Sequence, residues 1–596
     1  MTLTDFRPLA GVRFEDVPLV SPRILPRMDV VGFVGYARSG KMHDPVAVES
    51  VEDFRREFGG EVDLGWDEAG GRVVTGQLGA AVRDFFVNGG TRAWIVRVPG
   101  PLVGDPDEKG ADVRSFVDMR LVGHGGGALV ARAEELAWLG REPRPRGIHA
   151  LLGVDEVTVV AVPDAAQVGW RRAPARQPGE SPPSHDVPEE PPCDHGDFDE
   201  CAPESRPGVP LLSPPQASDA GLVVEWAAPD PTGADGLGYV VEETRDPTGW
   251  QDAREVYRGG ELRTVLTARS TVPRYFRVRA ERVRAGASEA PVAGDWSQGR
   301  GAAGDPSLGL VATPVEDYEP RVLLGLHRAL LRMCAARGDL LALLSVPEHY
   351  RADHVAGHWR TLTEPTAPVE ADVVAPLQTW EMGYGALFHP WLVHGAPDVG
   401  TTVTTAGVPD GAVAGVIASR ARTRGAWVAP ANVRVHDVVA TVSDESLPAR
   451  QWLRDERVNA NLVVRTRDSF RWLSEDTLTT DEDWRPISVR RLHSLLRRVV
   501  LLEGPHYVFE PNDAVLRRGI ERGFVELMRF LFAQGAFAGA TEREAFRVSV
   551  GAVNTAESVD AGRLIVEIAY APSRPLEFLK VRLVHAGEPG FRLVGA

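Results

Sequence analysis

Lysine is almost missing from this chain, cysteine is scarce, and no apolar run is long enough to span a bilayer. Lys41, Lys109 and Lys580 are the only lysines in 596 residues, so nearly all basic charge is arginine, which reads as coding bias of a GC-rich genome. Cys193, Cys201 and Cys334 are too few for a disulfide framework and point to a reducing compartment. The opening MTLTDFRPLAGVRFEDVP lacks the charged-then-apolar order of a signal peptide, and no later stretch reaches about 20 apolar residues. Cytoplasmic assembly without membrane insertion is therefore expected, with any later release by a route such as lysis. Positive charge is also in deficit: the net charge of -17 argues against a nucleic-acid partner, because phosphate affinity needs clustered basic charge.

Catalytic patterns are missing as well. There is no G-x-S-x-G, and no glycine-framed serine with plausible Asp and His partners. Gly35 to Lys41 (GYARSGK) follows a strand-like run and fits G-x-x-x-x-G-K. However, Met42 stands where a magnesium-binding hydroxyl is needed, and His43-Asp44-Pro45 is a poor helix start. His354 and His358 have helical metal-pair spacing without the glutamate or third ligand of a zinc motif, and read as surface residues. Cys193, His195 and Cys201 match no zinc spacing. No catalytic residue, cofactor or metal is expected.

At this length the chain has room for about four domains. Residues 1–27 carry Pro8, Pro18, Pro22 and Pro26 and read as an extended arm. Residues 28–164 form the first part of a mixed α/β body. Ser50 caps a helix over 51–58, a second helix covers 77–87 and ends at Asn88-Gly89-Gly90, and strands cover 30–34, 93–98 and 156–162. Residues 165–207 are a proline-rich, acidic linker. Residues 208–300 read as all-β, with strands at 222–226, 239–242, 263–266 and 275–280 between regular turns. Trp226, the run from Tyr275 to Ala280 and Asp295-Trp296-Ser297 resemble a fibronectin type III module, in which Trp226, Trp296 and Tyr275 would be core. Residues 301–483 continue the body, with a helix over 321–337 that carries Cys334 inward and a buried strand over 340–346.

Residues 484–596 form a closing domain. A helix with Val489, Leu492, Leu496 and Val499 on one side has Ser488 as its cap. A second, capped by Asn512 or Asp513, carries Val515, Leu516, Ile520, Phe524, Leu527 and Leu531 on one side and a charged stripe including Arg517, Arg518, Glu521, Arg522, Glu526 and Arg529 on the other. Two strands follow, at 564–570 and 576–584, the last alternating Leu579, Val581 and Leu583 against Lys580 and Arg582.

In order along this block stand WRPISVRR (484–491), FEPND (509–513), GAFAG (535–539), Asn554-Thr555, DAGR (560–563) and Arg574-Pro575. Upstream stand GVRFEDVP (11–18), FFVNGGTRAWIVRV (85–98), YGALFHPWL (384–392), VPDGAVAG (408–415) and RGAWVAPAN (424–432). Together they resemble contractile phage-tail sheath proteins, the family that also builds extracellular contractile injection systems. The resemblance implies an α/β (α+β) multidomain sheath fold interrupted by the β-sandwich, with a central domain of subtilisin-like fold over 301–483. It implies a structural subunit that polymerises with itself in six-fold helical rings around an inner tube, contracts to drive that tube outward, and meets baseplate and tail-terminator or cap proteins. Val12, Phe14 and Val17, with Phe578, Leu579, Val581 and Leu583, would lie in arm strands that join a neighbour's sheet. Arg517, Arg518, Glu521 and Arg522 would face the tube. The competing expectation is an adhesive protein whose fibronectin-like insert binds glycan, a cell surface or another particle component.

Overall fold

The computed structural model describes residues 25–595 except 68–71, 102–112, 139–143, 173–206, 219–220, 230–236, 245–249, 251–252, 267–273, 283–291, 298, 303–309, 365–373, 395–404, 444–446, 468, 508–510, 512, 551–553, 555–563, 574–580 and 586–590. A nine-stranded sheet forms the body. In spatial order its strands are Val46–Val48, Ala93–Val98, Val31–Tyr36, Val159–Ala161, Leu341–Ser345, Gly385–His389, Ala460–Arg465, Phe470–Trp472 and Arg434–Val435. The six from Ala93–Val98 to Ala460–Arg465 run parallel, and antiparallel strands close both ends.

Period-two alternation divides the strand residues between two helical layers. Val31, Phe33, Ile95, Leu341, Leu343 and Phe388 pack with helices α1 (Val51–Phe58) and α2 (Gln77–Val87), through Phe54, Phe58, Leu78, Val82 and Phe85. Val34, Val96, Val98, Val160, Leu344 and Leu387 pack on the other face against α4 (Pro320–Arg337) and α5 (Ala352–Thr363), with α3 (Gly126–Trp138) outside α4. Cys334 is fully buried in that layer, as expected. Helix α6 (Asp410–Arg424) joins the first layer, where Gly411 and Gly415 let it approach α2. A Cβ at either would come within 2.0 Å of Ala81 O or 2.5 Å of Phe85 O. The small residues of VPDGAVAG thus serve a close helix crossing.

The sandwich interrupts a β-helix-β crossover. Val159–Ala161 and Leu341–Ser345 are sheet neighbours, and the whole insert lies between them in sequence. The chain leaves through strand Trp170–Arg172 and returns through Leu310–Ala312, which pair antiparallel with Leu310 opposite Arg172. Trp170–Arg172, grouped by composition with the linker, is therefore part of the body's small sheet. In the insert, Gly221–Ala227 pairs with Arg263–Leu266, Leu211–Leu212 and Gln216–Ser218. The facing sheet orders Arg254–Gly259, Leu237–Thr244, Arg274–Arg282 and Val292–Ala293, with Arg300–Ala302 also on Arg274–Arg282.

Its core holds Trp226, Tyr239, Val241, Phe276 and Val278. Trp226 is thus where expected, but Tyr275 and Trp296 are not. On strand Arg274–Arg282 the even positions Phe276, Val278 and Ala280 are buried, which turns Tyr275, Arg277 and Arg279 outward. The Arg277 guanidinium lies 4.4 Å from the Trp250 ring and 4.3 Å from that of Trp296, and Arg279 lies 4.6 Å from Trp296. The Arg38 guanidinium reaches to 5.3 Å from the Tyr275 ring, so the insert rests on the loop after the first strand.

Candidate functional site

The closing domain has its own core, in which Met28 and Trp427 join Leu492, Leu495, Phe524, Leu527, Met528, Leu531, Phe537 and Phe546. Helix α7 (Ile487–Glu503) begins after Pro486, and Ser488 lies inside its first turn rather than capping it. The cap comes from outside: the Glu475 carboxylate accepts the Ser488 hydroxyl at 2.7 Å and the Ser488 N–H at 3.2 Å. An anion at a helix N-terminus satisfies its free N–H groups and opposes the dipole. Val489, Leu492, Leu496 and Val499 are buried as the spacing predicted.

The arginines of α7 are ties to the body. Arg490 lies between the rings of Tyr384 (4.2 Å) and Trp484 (4.4 Å). Arg491 donates to the Met28 carbonyl, and burial pushes its guanidinium down to about 10. Arg497 donates to Arg337 O at 3.1 Å, and Arg498 to Asp339 at 2.8 Å and Asp155 O at 2.6 Å.

Helix α8 (Ala514–Ala533) is capped by Asp513, whose Oδ1 accepts the N–H groups of Val515 at 2.9 Å and Leu516 at 2.8 Å. Ile520, Phe524, Leu527 and Leu531 are buried and Leu516 is half-buried, but Val515, assigned to the apolar side, is 68% exposed in the first turn. Arg518 and Arg522 are exposed, Arg517 and Glu521 half-buried. Arg517 donates to Asp513 O at 3.2 Å, and Arg529 pairs with Glu542 at 2.9 Å. All four expected tube-facing residues thus stand along one helix.

A two-stranded antiparallel sheet, Phe546–Ser549 with Glu567–Tyr570, covers this core, Phe537 lying against the rings of Phe546 and Tyr570. Among the described residues neither strand pairs with a third strand. Beyond it, Val581–His585 folds back on Phe591–Gly595 as a separate hairpin, Val581 opposite Gly595 and Leu583 opposite Leu593. The arm residues Val12, Phe14, Val17, Phe578 and Leu579 lie outside the described residues.

The glycine loop has a structural account. Asp164, at the end of the Val162-Pro163-Asp164 phrase, is fully buried. It accepts Tyr36 N–H at 2.7 Å and Gln77 N–H at 2.6 Å. It therefore caps α2, whose own N-cap, Gly76, has no side chain to do so. A Cβ on Gly35 would sit 2.4 Å from that carboxylate. Gly35 admits an internal carboxyl group rather than a phosphate, and the loop leads into strand Val46–Val48 instead of a helix.

The histidine reading needs correction. His354 is at the surface, but His358 is 4% exposed, its Nε2 lying 3.0 Å from Nδ1 of buried His327, because α5 turns that face onto α4. Asp164 and Glu475 were missed as caps. The only signals for them are the weak caps Gly76 and Pro486 at the helices they serve.

No family model matches the chain, and no curated protein is similar to it. Among solved structures, a chain of the anti-feeding prophage baseplate in its contracted state is 18% identical with a TM-score of 0.51, over 97% of this chain and 99% of that one. An extracellular contractile injection system, the PVC sheath complex in its contracted state, gives 13% identity and a TM-score of 0.48 over 98% and 99%. The sixth fibronectin type III domain of human fibronectin type III domain containing protein 3 matches 18% of this chain and 94% of its own, at 24% identity and a TM-score of 0.14. Among the described residues no helix is long and apolar enough to cross a membrane. The likeness is one of fold: a mixed α/β body shared with that baseplate chain, here carrying an inserted β-sandwich.

Proposed function

We propose that this chain is a structural, non-catalytic subunit of a contractile tail sheath, polymerising helically around an inner tube and contracting to drive it through a target envelope. The observation that carries this reading is the closing domain's two-stranded sheet beside a chain-end hairpin, neither of which pairs with a further strand among the described residues. An isolated hairpin is marginal in water, and an open sheet edge is a template for another chain's strand. Exchange of the arms at 1–27 and after 575 between neighbours would supply both needs, with main-chain hydrogen bonds giving strength and alternating side chains giving register. The end of α7 adds apolar surface, with Val500, Leu501 and Leu502 at 41%, 57% and 60% exposure. The stripe of Arg517, Arg518, Glu521 and Arg522 faces the tube in this arrangement, and interfaces with two packings store the energy of contraction without nucleotide. Assembly takes place in the bacterial cytoplasm, on a baseplate and beneath a terminator, with release by lysis.

The test is electron microscopy of the full chain and of truncations lacking residues 1–20 or 576–596. The full chain should form helical tubes and each truncation should remain folded but unassembled. Normal filaments from either truncation would refute the arm exchange.

A further inference from the structure

We propose that Asp84, His394 and Asp437 form a binding site for a first-row divalent metal ion of the zinc type, pinning α2 to the three-stranded sheet of Thr405–Gly407, Leu392–His394 and Ala440–Thr441. Asp84 lies in the last turn of α2, His394 ends strand Leu392–His394, and Asp437 sits at φ 62° in the turn before Ala440–Thr441. One ligand atom from each lies within 4.8 Å of the others. Three segments distant in sequence thus bring two carboxylates and an imidazole to one point.

The surroundings of these groups leave room for a cation. His394 Nδ1 is 2.8 Å from the backbone oxygen of Asp437. A carbonyl only accepts, so Nδ1 carries a proton, and with a metal bound Nε2 would present its lone pair. Nε2 faces Asp84 Oδ2 at 3.0 Å, and neither atom makes a hydrogen bond. A positive species belongs between them, either a second proton on the ring or a metal ion. Both side chains are deeply buried, His394 at 3% and Asp84 at 1% exposure, and the other carboxylate oxygen also lacks a hydrogen bond. Arg83 Nε stands 3.5 Å from Asp84 Oδ1, on the opposite oxygen from the one facing His394.

The 3.0 Å between Asp84 Oδ2 and His394 Nε2 suits an ion bound at about 2 Å from each. A neutral imidazole whose other nitrogen is fixed by a backbone carbonyl is the usual arrangement for a metal-binding histidine. Exposed Asp437 supplies the third ligand and leaves a position open to water. Mixed nitrogen and carboxylate donors favour zinc over magnesium or calcium.

The test uses the full chain stripped with EDTA, dialysed, and titrated with zinc chloride by calorimetry, with metal content read by mass spectrometry. One zinc per chain is expected, with a melting temperature that rises on zinc addition and falls back with EDTA. Asp84→Asn should abolish stoichiometric binding. Asp437→Ala, in an exposed turn, should keep the fold and weaken binding roughly ten- to a hundredfold; it decides the matter should Asp84→Asn misfold. Failure to bind stoichiometric zinc would overturn the proposal and leave an imidazolium–carboxylate pair in its place. Unchanged affinity in Asp437→Ala would also overturn it, assigning the zinc to surface groups such as His354.

Discussion

Helices α7 and α8 follow one another in the chain, carry four arginines each, and use them in opposite ways. In α7, Arg490 and Arg491 are 6% and 3% exposed, and Arg498 reaches across to Asp339 and Asp155. In α8, Arg518 and Arg522 face outward with no ion pair among the described residues. Burying a guanidinium is costly unless carbonyls, carboxylates or aromatic faces replace its water. Around α7 those groups are supplied by residues far away in sequence: Met28, Asp155, Val157, Asp339 and Tyr384. The closing domain is therefore bolted to the body by one helix, while the other leaves Arg518 and Arg522 exposed. A charged residue's role here is set by which partners the fold brings to it.

The comparison can be broken most directly at Arg491. Arg491→Ala leaves the Met28 carbonyl buried without a donor and opens a cavity, and should destabilise the chain by about 3 kcal/mol in urea unfolding. A cost no larger than that of an α8 arginine would erase the distinction between the helices.

Acid should act on the same side. His493, on α7, is held down to about 4 by burial and by Arg490 and Arg497, and burial holds His149 and His358 near the same value. These rings stay neutral in the folded chain while the unfolded chain takes up protons below about 6.5. Their contribution is therefore intact above that pH and is lost as the pH falls from about 6.5 to about 4. The urea midpoint should drop across that window, and His493→Gln should make the drop shallower. Helix α8 has no histidine and should add nothing to it.

Glu475→Ala removes the external cap of α7 and should cost about 1–2 kcal/mol. An unchanged midpoint would mean that α7 needs no partner at its start. Smallest of all, Arg518→Glu with Arg522→Glu should change stability by no more than about 0.5 kcal/mol. It should nevertheless loosen the inner tube in co-purification, and unchanged tube recovery would return those residues to the status of a solvated face.

Local rules read the elements well. Helix 51–58 with Ser50 as cap, helix 77–87 and strand 93–98 fall where periodicity and capping chemistry place them, because each is decided within about a dozen residues. What stayed illegible depends on distant partners. Ser488 is a plausible cap by type, yet Glu475 takes that place from another segment. Tyr275 has core composition but lies on the outward parity of its strand, and Trp296 lies outside the strands; arginines stack on both. His358 looked solvent-facing until His327, 31 residues earlier, was placed beside it. The Asp84, His394 and Asp437 cluster joins three segments, so no local spacing could signal it.

The pairing of Trp170–Arg172 with Leu310–Ala312 has a wider consequence. Neighbouring strands lie about 5 Å apart, so the two ends of the insert meet like the pins of a plug. The body needs only that closely spaced pair of ends, and any module whose own termini lie together could take the sandwich's place. A particle built from such subunits would carry one socket on every copy, and what it displays could change without the machinery beneath being redesigned.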